Sequence, residues 1–332
     1  MTVTSTAGTT GIFAKSAAAA TLALAGAALF NHAAARRAER KYPPVGKIID
    51  VGGVDVHVVD TGAGPGGDTF VLIHGNASLV QDFLVSGVVE LLQANHRVIL
   101  FDRPGYGYTE RPDDREWTAE AQAALLVDAC AILGATNPVV VGHSWGVITA
   151  LAWALGHPGT VARLVLLSGY YYPSGRVDAA MLNLAELPLI RPVFEHAIAP
   201  LQTRLTGPAG LKMIFAPAET SPKFVDEMPF ELMLRPSQIA ASARDGAQMP
   251  ANAARLAARY GELALPMAIA WGDGDLLVDP DSQSARMADE TGAATLVVKD
   301  AGHMIHHIDP AAIADFIETG RAVHAISSEG LI

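Results

Sequence analysis

From Phe70 onward, six short runs are apolar at consecutive positions: Phe70–Ile73, Val98–Phe101, Val139–Val141, Leu164–Ser168, Met267–Trp271 and Thr295–Lys299. An alternating strand hides one face, whereas a continuous one hides both, which requires a parallel sheet with helices on either side. Two earlier runs, Lys47–Val51 and Val54–Asp60 around Gly52–Gly53, read as an antiparallel hairpin. Val80–Ala94, Thr118–Leu133, Trp145–Leu155 and Pro310–Ala322 carry apolar residues at helical spacing. Thr118 is placed to cap the second of these and Asp309 the last, with Pro310 at its first position. The pattern predicts eight strands in one doubly wound α/β domain.

One interval departs from that rhythm. Tyr170 to Leu265 is rich in Leu, Met, Phe and Pro and poor in strand signals. A structureless loop of that length has no place in a compact domain. The expected organisation is a core of residues 43–169 and 266–325, with a mainly helical cap, 170–265, inserted after the sixth strand.

The N-terminal segment, 1–42, is set apart by composition. Ser16 to Phe30 carries no charge; Lys15 precedes it and Arg36, Arg37, Arg40 and Lys41 follow. The run is shorter than the roughly 20 residues of a comfortable span. Ala33–Ala34–Ala35 would suit signal-peptidase cleavage, but the basic cluster downstream opposes export. The expectation is membrane association through residues 11–35, with a cleaved signal (an exported protein) or a soluble alanine-rich helix (a cytoplasmic one) as alternatives. Elsewhere, the net charge of −11 over 332 residues argues against nucleic acid or an anionic membrane surface as the main partner, since both would repel it, while leaving room for a local basic patch. The one cysteine, Cys130, excludes an internal disulfide and a multi-cysteine metal site, and its place in a helix marks it as a core thiol. Oligomeric state leaves no trace in the sequence.

Gly142–His143–Ser144–Trp145–Gly146 fits G-x-S-x-G, directly between a strand and a helix. In that context the serine sits on a strained turn with its hydroxyl presented at the helix N-terminus. A serine hydroxyl needs a base, and the base an orienting carboxylate, both following in the chain. Gly272–Asp273–Gly274–Asp275 closes the seventh strand, and Gly302–His303 the eighth. His303 is therefore the expected base. Asp275 lies deep enough in its loop to turn back toward it, while Asp273 is better placed to satisfy turn amides. His306 and His307 fall in the next turn and read as structural. The oxyanion of acyl transfer needs preorganised N–H donors. Trp145, after the nucleophile, supplies one, and Asn76, in His74–Gly75–Asn76 after the third strand, the other.

These motifs, with Phe101–Asp102–Arg103–Pro104–Gly105–Tyr106–Gly107, resemble the capped members of the α/β-hydrolase superfamily over about residues 45–325. The resemblance implies an α/β-hydrolase fold, with Asp102 to Gly107 as the structural loop after the fourth strand. Asn76 and Trp145 also resemble the halide-holding pair of haloalkane dehalogenases. Those enzymes and the epoxide hydrolases use an aspartate where this chain has Ser144, so acyl chemistry is expected instead.

The sequence thus points to a serine hydrolase acting on a carboxylic ester of a small, largely apolar substrate, with no metal or organic cofactor. A lactone, an amide, a carbon–carbon bond to a ketone, or perhydrolysis would suit the same triad. A ligand-binding protein with negligible turnover is the rival from another class. Tyr170, Tyr171, Phe194 and Phe215 are the expected pocket residues, with Met213, Phe224, Met228, Phe230 and Met233 also within the cap.

Overall fold

The computed structural model describes residues 7–174 and 190–321. Residues 1–6, residues 175–189 of the expected cap and residues 322–325 of the expected core lie outside them. Eight strands form one sheet: β1 (Lys47–Val51), β2 (Val54–Asp60), β3 (Thr69–Ile73), β4 (Arg97–Phe101), β5 (Val139–His143), β6 (Arg163–Leu167), β7 (Met267–Gly272) and β8 (Ala294–Val298). Their order is β1-β2-β4-β3-β5-β6-β7-β8. Only the β1–β2 and β2–β4 pairings are antiparallel; β4 to β8 run parallel.

The consecutive apolar runs behave as their chemistry requires. Within β3, Val71 and Ile73 pack on one face beneath the helices Ala119–Ile132 and Trp145–Gly156. Phe70 and Leu72 pack on the other, with Val88, Leu92, Ile313 and Phe316. Each face is closed by helices there, so the central strands β3 to β6 carry no solvent-facing side, whereas the edge strand β1 is largely exposed. Thr118 accepts from the Ala121 N–H at 3.2 Å and Asp309 from that of Ala312 at 2.9 Å, caps worth about 1 kcal/mol each. The expected helix Val80–Ala94 is two, Gln81–Ser86 and Val88–Gln93, broken where Gly87 turns left-handed at φ +92°. Cys130 is buried in the core, and that burial pushes its thiol up to about 12.

Between β6 and β7 the described residues are helical in the main, including Ala199–Phe215, Pro222–Glu227 and the 22-residue helix Pro236–Ala257. They form a cap over the carboxyl ends of the strands. The N-terminal segment is one continuous helix, Ala7–Lys41. Its stretch Ala18–Lys41 is long and apolar enough to cross a membrane by length and composition.

Candidate active site

β5 runs through the middle of the sheet into a turn with no room for side chains. A Cβ on Gly146 would sit 2.2 Å from the Ile73 carbonyl oxygen, and one on Gly142 would sit 2.6 Å from that of Gly146. Between them Ser144 is held at φ +53°, ψ −120°, a conformation that L residues avoid unless the surroundings enforce it. Gly75, across the gap, brings its backbone close enough that a Cβ there would be 3.1 Å from the Ser144 Cβ.

His303 follows β8 and Asp275 follows β7. The His303 Nδ1–H donates to Asp275 Oδ2 at 2.7 Å, with both side chains buried. The other oxygen of Asp275 accepts from the Leu277 and Val278 amides at 2.8 and 3.0 Å. Asp275 therefore satisfies the turn amides that the sequence had suggested for Asp273. Asp273 instead faces Lys299 at 3.3 Å in a partly exposed pair. Ser144 and His303 line one cavity, together with Gly75 and Asn76. Trp145 opens its helix, where the first N–H groups have no intrahelical acceptor.

Sequence reasoning missed how the cap holds this site. Asp245, on Pro236–Ala257 and wholly buried, accepts from Arg103 at 2.5 Å, Arg111 at 2.9 Å, the Tyr106 hydroxyl at 3.0 Å and Gln122 at 3.3 Å. Its backbone oxygen accepts from the Trp145 indole at 3.0 Å. Arg103 stacks on the Trp145 ring at 4.3 Å and donates to the carbonyls of His74 and Gly75. The Asn76 side chain donates to the Ser242 carbonyl at 3.1 Å and accepts from Tyr106 at 2.5 Å. His74 is a neutral imidazole by construction: Nδ1–H donates to the Gly75 oxygen and Nε2 accepts from the Arg103 amide. Burial, then the Arg103 charge, drives it down to about 4.

A second buried cluster lies behind His303. His306 and His307 donate to one oxygen of Asp82 at 3.1 and 2.8 Å, and the Ser78 hydroxyl donates to the other. Burial opposes ionisation of Asp82, but the His306 and His307 contacts outweigh it and hold the carboxyl well below its usual range. Burial also holds His143 and His306 below the ordinary histidine value. His143 Nε2–H donates to the His303 carbonyl at 3.1 Å, pinning the backbone of that residue to the elbow. Donor atoms of Asp82, His143 and His306 lie within 4.8 Å of one another, a spacing a metal ion could use, but the hydrogen bonds satisfy Asp82 without one. Asp102 belongs to the loop after β4, bonded to His57 at 2.6 Å and to the Val80 and Tyr108 amides.

The cavity has a volume of about 1050 Å³ and a wall built mainly from the cap. Tyr170 and Phe194 line it, as do Met213, Phe224, Met228, Phe230 and Met233. Tyr171 and Phe215 do not, contrary to the sequence expectation. Tyr171 turns into the core under the sheet, and Phe215 packs edge-on against Phe224 at 5.2 Å. Phe224, in front of Phe215, reaches the cavity first.

Comparison with known proteins gives the same fold. Residues 68–310 match the family described as alpha/beta hydrolase fold. A 2-hydroxy-6-oxononadienedioate/2-hydroxy-6-oxononatrienedioate hydrolase of Klebsiella pneumoniae is 24% identical over 77% of this chain and 87% of its own. An esterase of Thermogutta terrifontis superposes with a TM-score of 0.67 at 21% identity, covering 82% of this chain and 97% of the esterase. A membrane phospholipase A superposes with a TM-score of 0.61 at 20% identity, covering 93% of this chain and 96% of that one. Likeness at such identity carries the fold and leaves the substrate open. Since the matched stretch runs from the first parallel strand to the helix behind the sheet and holds the elbow between them, the chain belongs to the α/β-hydrolase fold family.

Proposed function

We propose that the protein is a serine hydrolase cleaving a carboxylic ester through an acyl-enzyme on Ser144. The observation that carries the reading is the buried 2.7 Å Asp275–His303 pair beside the cavity that Ser144 also lines. His303 Nε2 takes the Ser144 proton as Oγ attacks the ester carbon. The oxyanion rests on the Asn76 and Trp145 backbone N–H groups. As the intermediate collapses the carbon–oxygen bond breaks, and His303 returns the proton to the leaving alcohol. Water then gives a proton to His303 and attacks the acyl carbon, releasing the acid and restoring Ser144. Asp275 holds the imidazole tautomer.

Hydrolysis of a carbon–carbon bond next to a ketone is the second reading, favoured by the Klebsiella relative. The substrate named for that enzyme is a dicarboxylate. Lysine and arginine on the cavity wall here are Lys212 and Arg204, and Arg204 is already bonded to Glu231 and Asn31. The wall suits an uncharged ester better.

The N-terminal helix is proposed as a membrane anchor, with residues 43–169 and 266–325 as core and 170–265 as cap. Against cleavage near Ala33–Ala35 stand the bonds that Asn31 makes to the cap. The test is hydrolysis of p-nitrophenyl esters by the full chain in detergent, with Ser144→Ala beside it. Loss of the nucleophile should reduce kcat by about 10⁶. Retained turnover would sink the mechanism; fluorophosphonate labelling of Ser144 without turnover would favour a binding role.

A further inference from the structure

The apolar run of the N-terminal helix ends at Phe30, and the next residue is already part of the enzyme. Asn31 is buried and donates to the His196 and Ala197 carbonyls at 2.8 and 3.2 Å. Arg204 donates to Asn31 at 3.0 Å and stands 5.4 Å from the Phe30 ring. Farther along, Ala38 is buried with Leu79 and Leu232, and Glu39 pairs with Arg235 at 3.3 Å. No linker separates the apolar run from the cap, so the helix fixes the height of the cap relative to any membrane it enters.

That height is specific. The cap segment touching Phe30 and Asn31 lies where the apolar run stops, which would be the boundary between acyl chains and headgroups once the run enters a bilayer. There the cap leaves Val193, Ile198 and Leu205 uncovered, Leu205 at 84%, beside the exposed Leu29 and Phe30. Arg36, Arg37, Arg40 and Lys41 are exposed about two to three turns farther on, roughly 9–16 Å along the axis at about 1.5 Å per residue, at the outer edge of the headgroup layer and just beyond it. Apolar residues at the acyl boundary and cations just outside it match an anionic lipid surface. The helix that carries Leu205 is also a wall of the catalytic cavity, through Ala199, Gln202, Leu211 and Ile214. A small ester would leave most of about 1050 Å³ empty, whereas a long acyl chain would fill it.

From this juxtaposition we infer that the substrate is a long-chain acyl ester resident in an anionic bilayer. It enters the cavity beside Ala199–Phe215 directly from the lipid. The inference rests on the ester-hydrolase reading above.

The test uses the full chain in vesicles of phosphatidylcholine and phosphatidylglycerol. Release of fatty acid from vesicle lipid is followed beside hydrolysis of water-soluble p-nitrophenyl butyrate in the same sample. Ile198→Glu/Leu205→Glu should lose about tenfold on the vesicle lipid, the scale of withdrawing one apolar side chain from lipid, and keep its p-nitrophenyl butyrate rate. Arg36→Gln/Arg37→Gln/Arg40→Gln should abolish the preference for vesicles containing phosphatidylglycerol. The inference is overturned if vesicle lipid is untouched while the soluble ester turns over. It is also overturned if Ile198→Glu/Leu205→Glu behaves as the parent, or loses both activities alike. No turnover of either ester would overturn the esterase reading itself, and the inference with it.

Discussion

Asp245→Asn tests the coupling between cap and core most directly. The carboxylate it removes faces two guanidinium groups, Arg103 and Arg111, within 2.9 Å. Arg103 is wholly buried and cannot shed its proton. An asparagine of nearly the same volume leaves that charge in place without its anion and points an N–H₂ donor toward further donors. Breaking a buried pair from one side costs about 3–5 kcal/mol, out of a total stability of about 5–15 kcal/mol. The loss should appear as a lower guanidinium midpoint for the full chain in detergent. Because Arg103 also bonds the His74 and Gly75 carbonyls, the loop presenting the Asn76 amide loosens too. kcat should therefore fall, by as much as the 10²–10³ typical of a lost oxyanion donor, with KM changing little. The triple variant Arg103→Met/Arg111→Met/Asp245→Leu should recover much of the stability, since it leaves neither guanidinium without its anion. A change below about 1 kcal/mol in Asp245→Asn, with unchanged kcat, would refute the reasoning.

Two further outcomes follow from the site. Asp275→Asn should lower kcat by about 10⁴ through the wrong imidazole tautomer, while Asp273→Asn should leave it near the parent; p-nitrophenyl ester kinetics on the pair decides between them. Stability should also fall as the pH drops from about 6.5 toward 4. The folded value of His74 lies at about 4, below the ordinary 6.5, so the unfolded chain takes up the proton first. The contribution is full above about 6.5 and amounts to roughly 3 kcal/mol when lost. Denaturant midpoints at about pH 7 and pH 5 check it, and a profile flat over that interval would contradict the neutral, doubly bonded imidazole.

The strands and the elbow could be expected from sequence because both depend on local pattern. Consecutive apolar positions report burial on two faces, and Ser144, Asp275 and His303 each stand just past such a run. What escaped is what lies far apart in the chain. Nothing near Asp245 announces that its helix folds over Arg103, 142 positions earlier. Asp82 read as one polar residue in a helix, although it meets His306 and His307 more than 220 positions away. Tyr171 and Phe215 have the composition of pocket walls, but Tyr171 packs into the core and Phe215 sits behind Phe224. The N-terminal helix was legible as apolar and basic by turns, but its seat on the cap depends on Asn31, whose amide donates to backbone oxygens that no side-chain pattern encodes.

The cap is fastened at the proposed general base itself, where the His303 N–H donates to the Ile214 carbonyl at 2.8 Å, and again at Asn76 and Arg103. Such a cap is not an interchangeable part. Grafting a relative's cap to change substrate range would remove the anion that neutralises Arg103 and the acceptor that holds His303. The chimaera would arrive with its core intact in sequence and its reaction centre unmoored. Engineering of this protein has to work inside the existing cap, on residues that face the cavity and stand outside its packed cluster, such as Met213.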